Sequence, residues 1–330
     1  MKATNDRLAG WVRLLGAQLA ILTIPCNAQP LEHTAYRGMA EASAAVMLDD
    51  RHFVVAEDEC NTLRIYSRGQ TEPLGAGLDV AEFLNTRDKA SDIEGGARLG
   101  DTVYWISSHS LPKSGKPREW RKQFFATKVI QSGSVPTLVP HGKPYTDLLK
   151  AMVEAPELKD LKLSEAAKML PEQLGGLNIE GLAAWKDDSL LIGFRNPLVS
   201  GRAPLVPLIN PAAVINGNPA QFDSPILVDL NDRGIRSIDK VGNEYMIVAG
   251  PIADAGTFAL FLWSGDPATP PKMALELPAG YFPEALLPVP GVQEVDLLSD
   301  DGSRQPEAEC GSAVKMQQQF RALRIHSIPK

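Results

Sequence analysis

The chain has 330 residues, 44% of them hydrophobic and 22% charged, with a formal net charge of -7 at pH 7. That is enough apolar material to bury a large core as one big domain or two ordinary ones. The acidic balance and the lack of any long Lys/Arg cluster argue against nucleic acid or an anionic membrane as a partner.

The N-terminus carries Lys2, Arg7 and Arg13, then the apolar run "LLGAQLAILTI", then "PCNA" before Gln29. This is the pattern of a secretory signal over residues 1–28, leaving residues 29–330 as one domain in the periplasm or outside the cell. The apolar run falls short of the roughly 20 residues needed to cross a bilayer, so no membrane span is expected after its removal. Cys26 leaves with the signal, and Cys60 and Cys310 remain in an oxidising compartment, where a disulfide is plausible.

Beyond the signal the chain repeats itself. "AEASAAVMLDDRHFVVAED", "DIEGGARLGDTVYWISSH", "NIEGLAAWKDDSLLIGFR", "GIRSIDKVGNEYMIVAG" and "PEALLPVPGVQEVDLLSDD" each join an apolar segment, a turn rich in Asp, Gly or Asn, and a β-branched or aromatic segment. That is a hairpin signature. Each unit continues into a third strand-like run ("LRIYSR", "QFFATKVI", "APLVPLI", "FALFLWS", "FRALRIHS"), and "PTLVP", "PILVDL" and "MALEL" supply fourth strands. About four strands per unit mark an all-β propeller, with five blades favoured and six reached if a degenerate blade hides in the inserts. The last unit ends on its third strand, so its fourth has to come from "LEHTAYRG" at the other end of the chain. One stretch departs from the pattern: residues 145–173 have helical apolar spacing and read as a small insert between the second and third blades, a lid or a cover for blade edges.

Aligning the five hairpins superposes Glu41, Glu94, Glu180, Arg236 and Glu284 at the start of the strand that lines a propeller channel. The antiparallel second strand brings Glu57, Asp58, His109, Arg195, Asn196, Asp300 and Asp301 to the same face. Long loops over 109–122, 143–178 and 196–204 fall there too, which suits a binding face. Carboxylates crowded in a low-dielectric channel repel one another unless a cation or a proton compensates. The pattern therefore predicts a hard-cation site, Ca²⁺ by its oxygen ligands, drawn from Glu94, Glu180, Asp239 and Glu284, with Arg195, Asn196 and Arg236 binding a small anionic molecule. The alternative reading is that the same glutamates staple neighbouring strands through backbone amides. Asp92 and Asn178, two residues before their glutamates, suit either role. His109 in "SSHS" is the histidine sited for chemistry, and no zinc pair, phosphate loop or nucleophile elbow accompanies it. Cys60 and Cys310 follow second strands in the first and last units, so a bridge between them would lock the ring.

"SDIEGGARLGDTVYWISSHS", "NIEGLAAWKDDSLLIGFRNPL" and "GIRSIDKVGNEYMIVAGP" resemble the bacterial family catalogued as domain of unknown function 3616. More distantly the "IEG" hairpins resemble the phytase-like and esterase-like secreted propellers. The first resemblance implies no established activity, and the second implies metal-assisted hydrolysis of an ester or phosphate. The sequence thus points to a Ca²⁺-dependent hydrolase of an anionic ester, with Glu94, Glu180, Glu284 and His109 as its catalytic candidates. Its rivals are a glycosidase using two channel glutamates and a non-catalytic binding scaffold.

Overall fold

Alternation of apolar and polar residues between Gly- and Asp-rich turns lets each repeat fold as a meander of antiparallel strands. The computed structural model describes residues 33–253, 255–292 and 294–326; the expected signal over residues 1–28 lies outside them. The first strand, β1 (His33–Arg37), stands apart from its neighbours in sequence. Blade 1 follows as β2 (Ala44–Met47), β3 (His52–Ala56), β4 (Thr62–Ser67) and β5 (Leu78–Asp79). Blade 2 is β6 (Ile93–Leu99), β7 (Thr102–Ser107), β8 (Phe124–Ser132) and β9 (Val135–Tyr145). Blade 3 is β10 (Asn178–Ala184), β11 (Leu190–Asn196), β12 (Arg202–Leu208) and β13 (Ile226–Asp229). Blade 4 is β14 (Gly234–Val241), β15 (Glu244–Gly250), β16 (Ala259–Trp263) and β17 (Lys272–Glu276). Blade 5 begins with β18 (Pro283–Pro288), β19 (Val295–Ser299) and β20 (Gln319–Ile325), and its fourth strand is β1.

This is a five-bladed propeller closed by strand exchange, as the repeat count requires. β1 pairs with β20 from His33 against Leu323 to Arg37 against Gln319. The inner strands form the ring: β2 packs on β6, β6 on β10, β10 on β14, β14 on β18, and β18 back on β2. Five hydrophobic clusters hold it together, each filling the seam between two adjacent blades. At the closing seam Tyr36, Phe53, Tyr66 and Phe320 meet with ring centroids 5.3 to 5.6 Å apart. A disulfide joins Cys60 after β3 to Cys310 before β20, with Cα atoms 5.8 Å apart. It links the first and last blades across the closure.

The insert is helical over α1 (Leu148–Glu154), a 3₁₀ turn (Pro156–Leu161) and α2 (Leu163–Ala166). It starts later than the spacing suggests, because β9 runs through Tyr145 before the chain turns. Leu148, Leu149, Met152, Leu158, Leu161 and Leu163 join the cluster between blades 2 and 3, so its apolar face covers a seam. Among the described residues no helix is long and apolar enough to cross a membrane.

Candidate functional site

The channel residues are aimed by a recurring local irregularity. In blades 2 to 5 the pairing of the first two strands slips at the channel residue: at Glu94 between Ile93 and Gly95, at Glu180 between Ile179 and Gly181, at Arg236 between Ile235 and Ser237, and at Glu284 between Pro283 and Ala285, with a second slip in blade 3 between Asn178 and Ile179. A bulge adds one unpaired residue and re-aims its side chain, which lets a strand keep its hydrophobic phase yet present a charge. Glu41 takes the corresponding place in blade 1 through an isolated bridge to Asp300. Glycine after the two bulged glutamates has a packing reason. A Cβ at Gly95 would meet Ile106 Cγ2 at 2.9 Å and Leu182 Cβ at 3.0 Å, and one at Gly181 would meet Ile235 Cγ2 at 2.9 Å. Neighbouring inner strands approach too closely there for any side chain.

All five of these residues line one cavity of about 990 Å³, together with Asp58, Asp92, Arg195, Asp300 and Lys315. Its wall carries ten carboxylates against five cations, and the cations are unevenly spread. In the sector of blades 3 to 5, Arg195 Nη1 donates to Glu180 Oε1 at 3.0 Å, Arg236 Nε lies 2.9 Å from Glu180 Oε2, and Arg236 Nη2 pairs with Glu284. Asn178 Nδ2 donates to Glu180 as well, at 2.7 Å. The remaining groups of Arg195 donate to the carbonyls of Pro251 at 3.1 Å and Ala253 at 3.2 Å. In the sector of blades 5 and 1, Lys315 is only 2% exposed, pairs with the equally buried Glu57 and lies 3.7 Å from Glu41.

The sector between blades 1 and 2 is different. Asp58, Asp92 and Glu94 hold carboxylate oxygens all within 4.8 Å of one another. Among the described residues only Arg121 forms an ion pair there, with Asp92, which also accepts from the Ser108 hydroxyl. Asp58 Oδ1 is buried without a hydrogen-bond partner among the described residues. Burial, reinforced by Asp92, Glu180 and Asp58, holds the Glu94 carboxyl well above its ordinary range. Burial and the charges of Glu41, Asp92 and Asp300 do the same to Asp58. Glu41 is pushed up to about 8 by burial, Glu59 and Asp300. Oxygen ligands of Ca²⁺ lie about 2.3 to 2.6 Å from the ion, so two on opposite sides stand up to about 5 Å apart. The three carboxylates fit within one such sphere.

Of the residues singled out by sequence, Glu94, Glu180, Glu284, Arg195 and Arg236 come together here. Three do not. His109 is 3% exposed, its Nδ1 lies 2.8 Å from the Ser107 carbonyl, and burial lowers its pKa to about 4. Asn196 is fully buried and donates to the carbonyls of Pro171 at 2.9 Å and Gln173 at 2.6 Å. Asp239 lies further along β14 than Arg236; at about 3.3 Å per residue it sits about 10 Å away. There it lines a second cavity of about 420 Å³ with Arg98 and Lys240, and burial raises its pKa to about 7. Among the described residues no backbone amide is hydrogen-bonded to the carboxylate of Glu94, Glu180 or Glu284. Lys315 and Arg121 went unrecognised in the sequence, and Asp58 and Asp92 stood outside the ligand set drawn from it.

The pattern of the family described as "Protein of unknown function (DUF3616)" matches residues 140–278. That segment runs from β9 past β17 and holds Glu180, Arg195 and Arg236, but not Asp58, Asp92, Glu94 or Glu284. A search of curated proteins finds no match. Among solved structures, an exo-β-1,3-galactanase from Phanerochaete chrysosporium is 8% identical with a TM-score of 0.49, covering 89% of this chain and 63% of that one. Glutaminyl cyclase from Myxococcus xanthus is 12% identical with a TM-score of 0.42, covering 89% and 94%. The PQQ-bound aldose sugar dehydrogenase of Streptomyces coelicolor is 12% identical with a TM-score of 0.42, covering 90% and 99%. At this distance the likeness carries no chemistry.

Proposed function

We propose that this propeller is an exported, Ca²⁺-dependent hydrolase of an anionic ester, with Asp58, Asp92 and Glu94 as the ligands of the ion. One observation carries the reading: three carboxylates converge within 4.8 Å in the sector of the channel that the buried cations Lys315, Arg195 and Arg236 leave uncompensated. A bound divalent ion supplies a Lewis acid for an ester or phosphoryl oxygen and acidifies a water for attack. Glu41 keeps its proton near neutral pH, since its carboxyl is pushed up to about 8, and is suited to protonate a leaving group. Glu180 and Glu284 serve by holding Arg195 and Arg236 across the cavity. The disulfide and the signal-like N-terminus support export.

The Glu180–Arg195–Arg236–Glu284 array also supports a second reading, a binding propeller without catalysis, because its charges are already paired with one another. A panel of phosphoesters and lactones assayed with calcium and with EDTA separates the two. Hydrolysis that needs calcium and is abolished in Asp58→Asn supports the enzyme. Calcium binding with no turnover of any panel member leaves the binding propeller.

A further inference from the structure

The charges expected to grip an anion, Arg195 and Arg236, are already paired with buried carboxylates. All three nitrogens of the Arg195 guanidinium group are engaged by Glu180 and two carbonyls. Arg236 is divided between Glu180 and Glu284 and lies over the Phe258 ring, 5.6 Å from its centroid. Moving either toward a ligand would strand a buried carboxylate, which costs several kcal/mol. The donors for an anionic substrate must come from elsewhere on the cavity wall.

The loop after β7 supplies them. Ser110, Lys113 and Arg121 all line the cavity beside Asp92. Lys113 is exposed and has no ion pair or hydrogen bond among the described residues. Arg121 pairs through Nη2 with Asp92 and donates to Ser110 Oγ at 3.1 Å, while among the described residues its buried Nε has no hydrogen-bond partner and its Nη1 makes no hydrogen bond. Ser110 and Ser108 hydroxyls stand 2.9 Å apart and tie the loop to Asp92. The loop's base is fixed by backbone bonds from Ser107 N to Gln123 O at 2.9 Å and from His109 N to Arg121 O at 3.1 Å. His109 has a left-handed φ of 56° and a buried ring, so it serves as the anchor of this loop.

We infer that Arg121 and Lys113 form the oxyanion subsite of the cavity, taking the phosphoryl or carboxylate group of an ester whose other oxygen faces Asp58, Asp92 and Glu94. With Nη2 held by Asp92 and Ser110, Arg121 Nη1 is the guanidinium donor left to meet an oxyanion in a charge-assisted hydrogen bond, and Lys113 adds an unpaired point charge at the mouth. The inference rests on the proposed ion site, and its test keeps the two apart. Calcium alone, then phenylphosphonate or benzoate with calcium present, is titrated calorimetrically into wild type, Lys113→Ala and Arg121→Lys. The lysine variant preserves the positive charge beside Asp92 and removes the second guanidinium donor, Nη1. The expected result is anion binding weakened about tenfold or more in each variant, with calcium affinity unchanged in Lys113→Ala. Stronger binding of phenylphosphonate identifies a phosphoester substrate, and stronger binding of benzoate a carboxylate ester. If calcium does not bind but the variants still weaken the anion, the subsite stands and the ion site falls. The inference is overturned if wild type binds neither anion, or if both variants bind them as wild type does.

Discussion

Breaking the disulfide tests how the ring is closed. Cys60 and Cys310 are 250 residues apart in sequence, and chain-entropy arithmetic for a loop that long gives about 5 kcal/mol of stabilisation. For a domain of this size 1 kcal/mol moves the melting temperature by about 2 °C, so the bond is worth about 10 °C. The native ring has other fastenings: the β1–β20 pairing, and the Arg68–Asp296 ion pair between blades 1 and 5. These keep the reduced protein folded at room temperature. Cys310 is exposed and open to reductant while Cys60 is 4% exposed. Scanning calorimetry of wild type with and without reductant, beside Cys60→Ala/Cys310→Ala, should show matched falls of about 10 °C with the far-ultraviolet circular dichroism unchanged at 25 °C. A fall below about 2 °C would refute the reasoning and leave closure to the other fastenings.

Lys315→Met should cost about 3–5 kcal/mol, because it strands Glu57, itself only 2% exposed; urea denaturation reads this directly, and adding Glu57→Leu should recover part of the loss. Gly181→Ala should destabilise by about 1–3 kcal/mol, since its Cβ would press on Ile235 Cγ2 at 2.9 Å; thermal melting checks it. The pH dependence has a defined sign. Glu41 binds its proton more tightly folded than unfolded, so without divalent ions stability falls as pH rises from about 4.5 to about 8. Asp58 and Glu94 are raised in the same direction and add to that slope. Melting in EDTA across that range should show the decline, Glu41→Gln should flatten part of it, and a rising profile would contradict the burial of these carboxyls.

The propeller was legible because each blade writes its own hairpin in local terms: alternating apolar residues and an Asp- or Gly-rich turn, as in "ARLGDTVYWIS". Even the strand exchange followed from a count, since the last repeat supplies three strands of its blade and β1 completes it. The site was legible only as a face. Phasing brought Glu94, Glu180, Arg236 and Glu284 to one ring, but a two-residue strand period does not reveal the bulges that turn them inward. Asp239 looked equivalent to its neighbours for the same reason, although distance along β14 takes it to another cavity. Charge pairing was hidden for a different cause. Arg236 meets Glu284 across 48 residues and Lys315 meets Glu57 across 258, contacts set by the packing of one blade on the next and by no local spacing. Arg121 reads in sequence as one more basic residue of "REWRKQ", and only the turn anchored by His109 carries it to Asp92.

The most direct measurement of the ion site is calorimetric titration of calcium into the chain without its first 28 residues, beside Asp58→Asn/Glu94→Gln. The account predicts a saturable site close to one ion per chain in wild type, a calcium-dependent rise in melting temperature, and loss of both in the double variant. Calcium that neither binds nor raises the melting temperature of wild type, with the double variant as stable as or more stable than wild type, would contradict it.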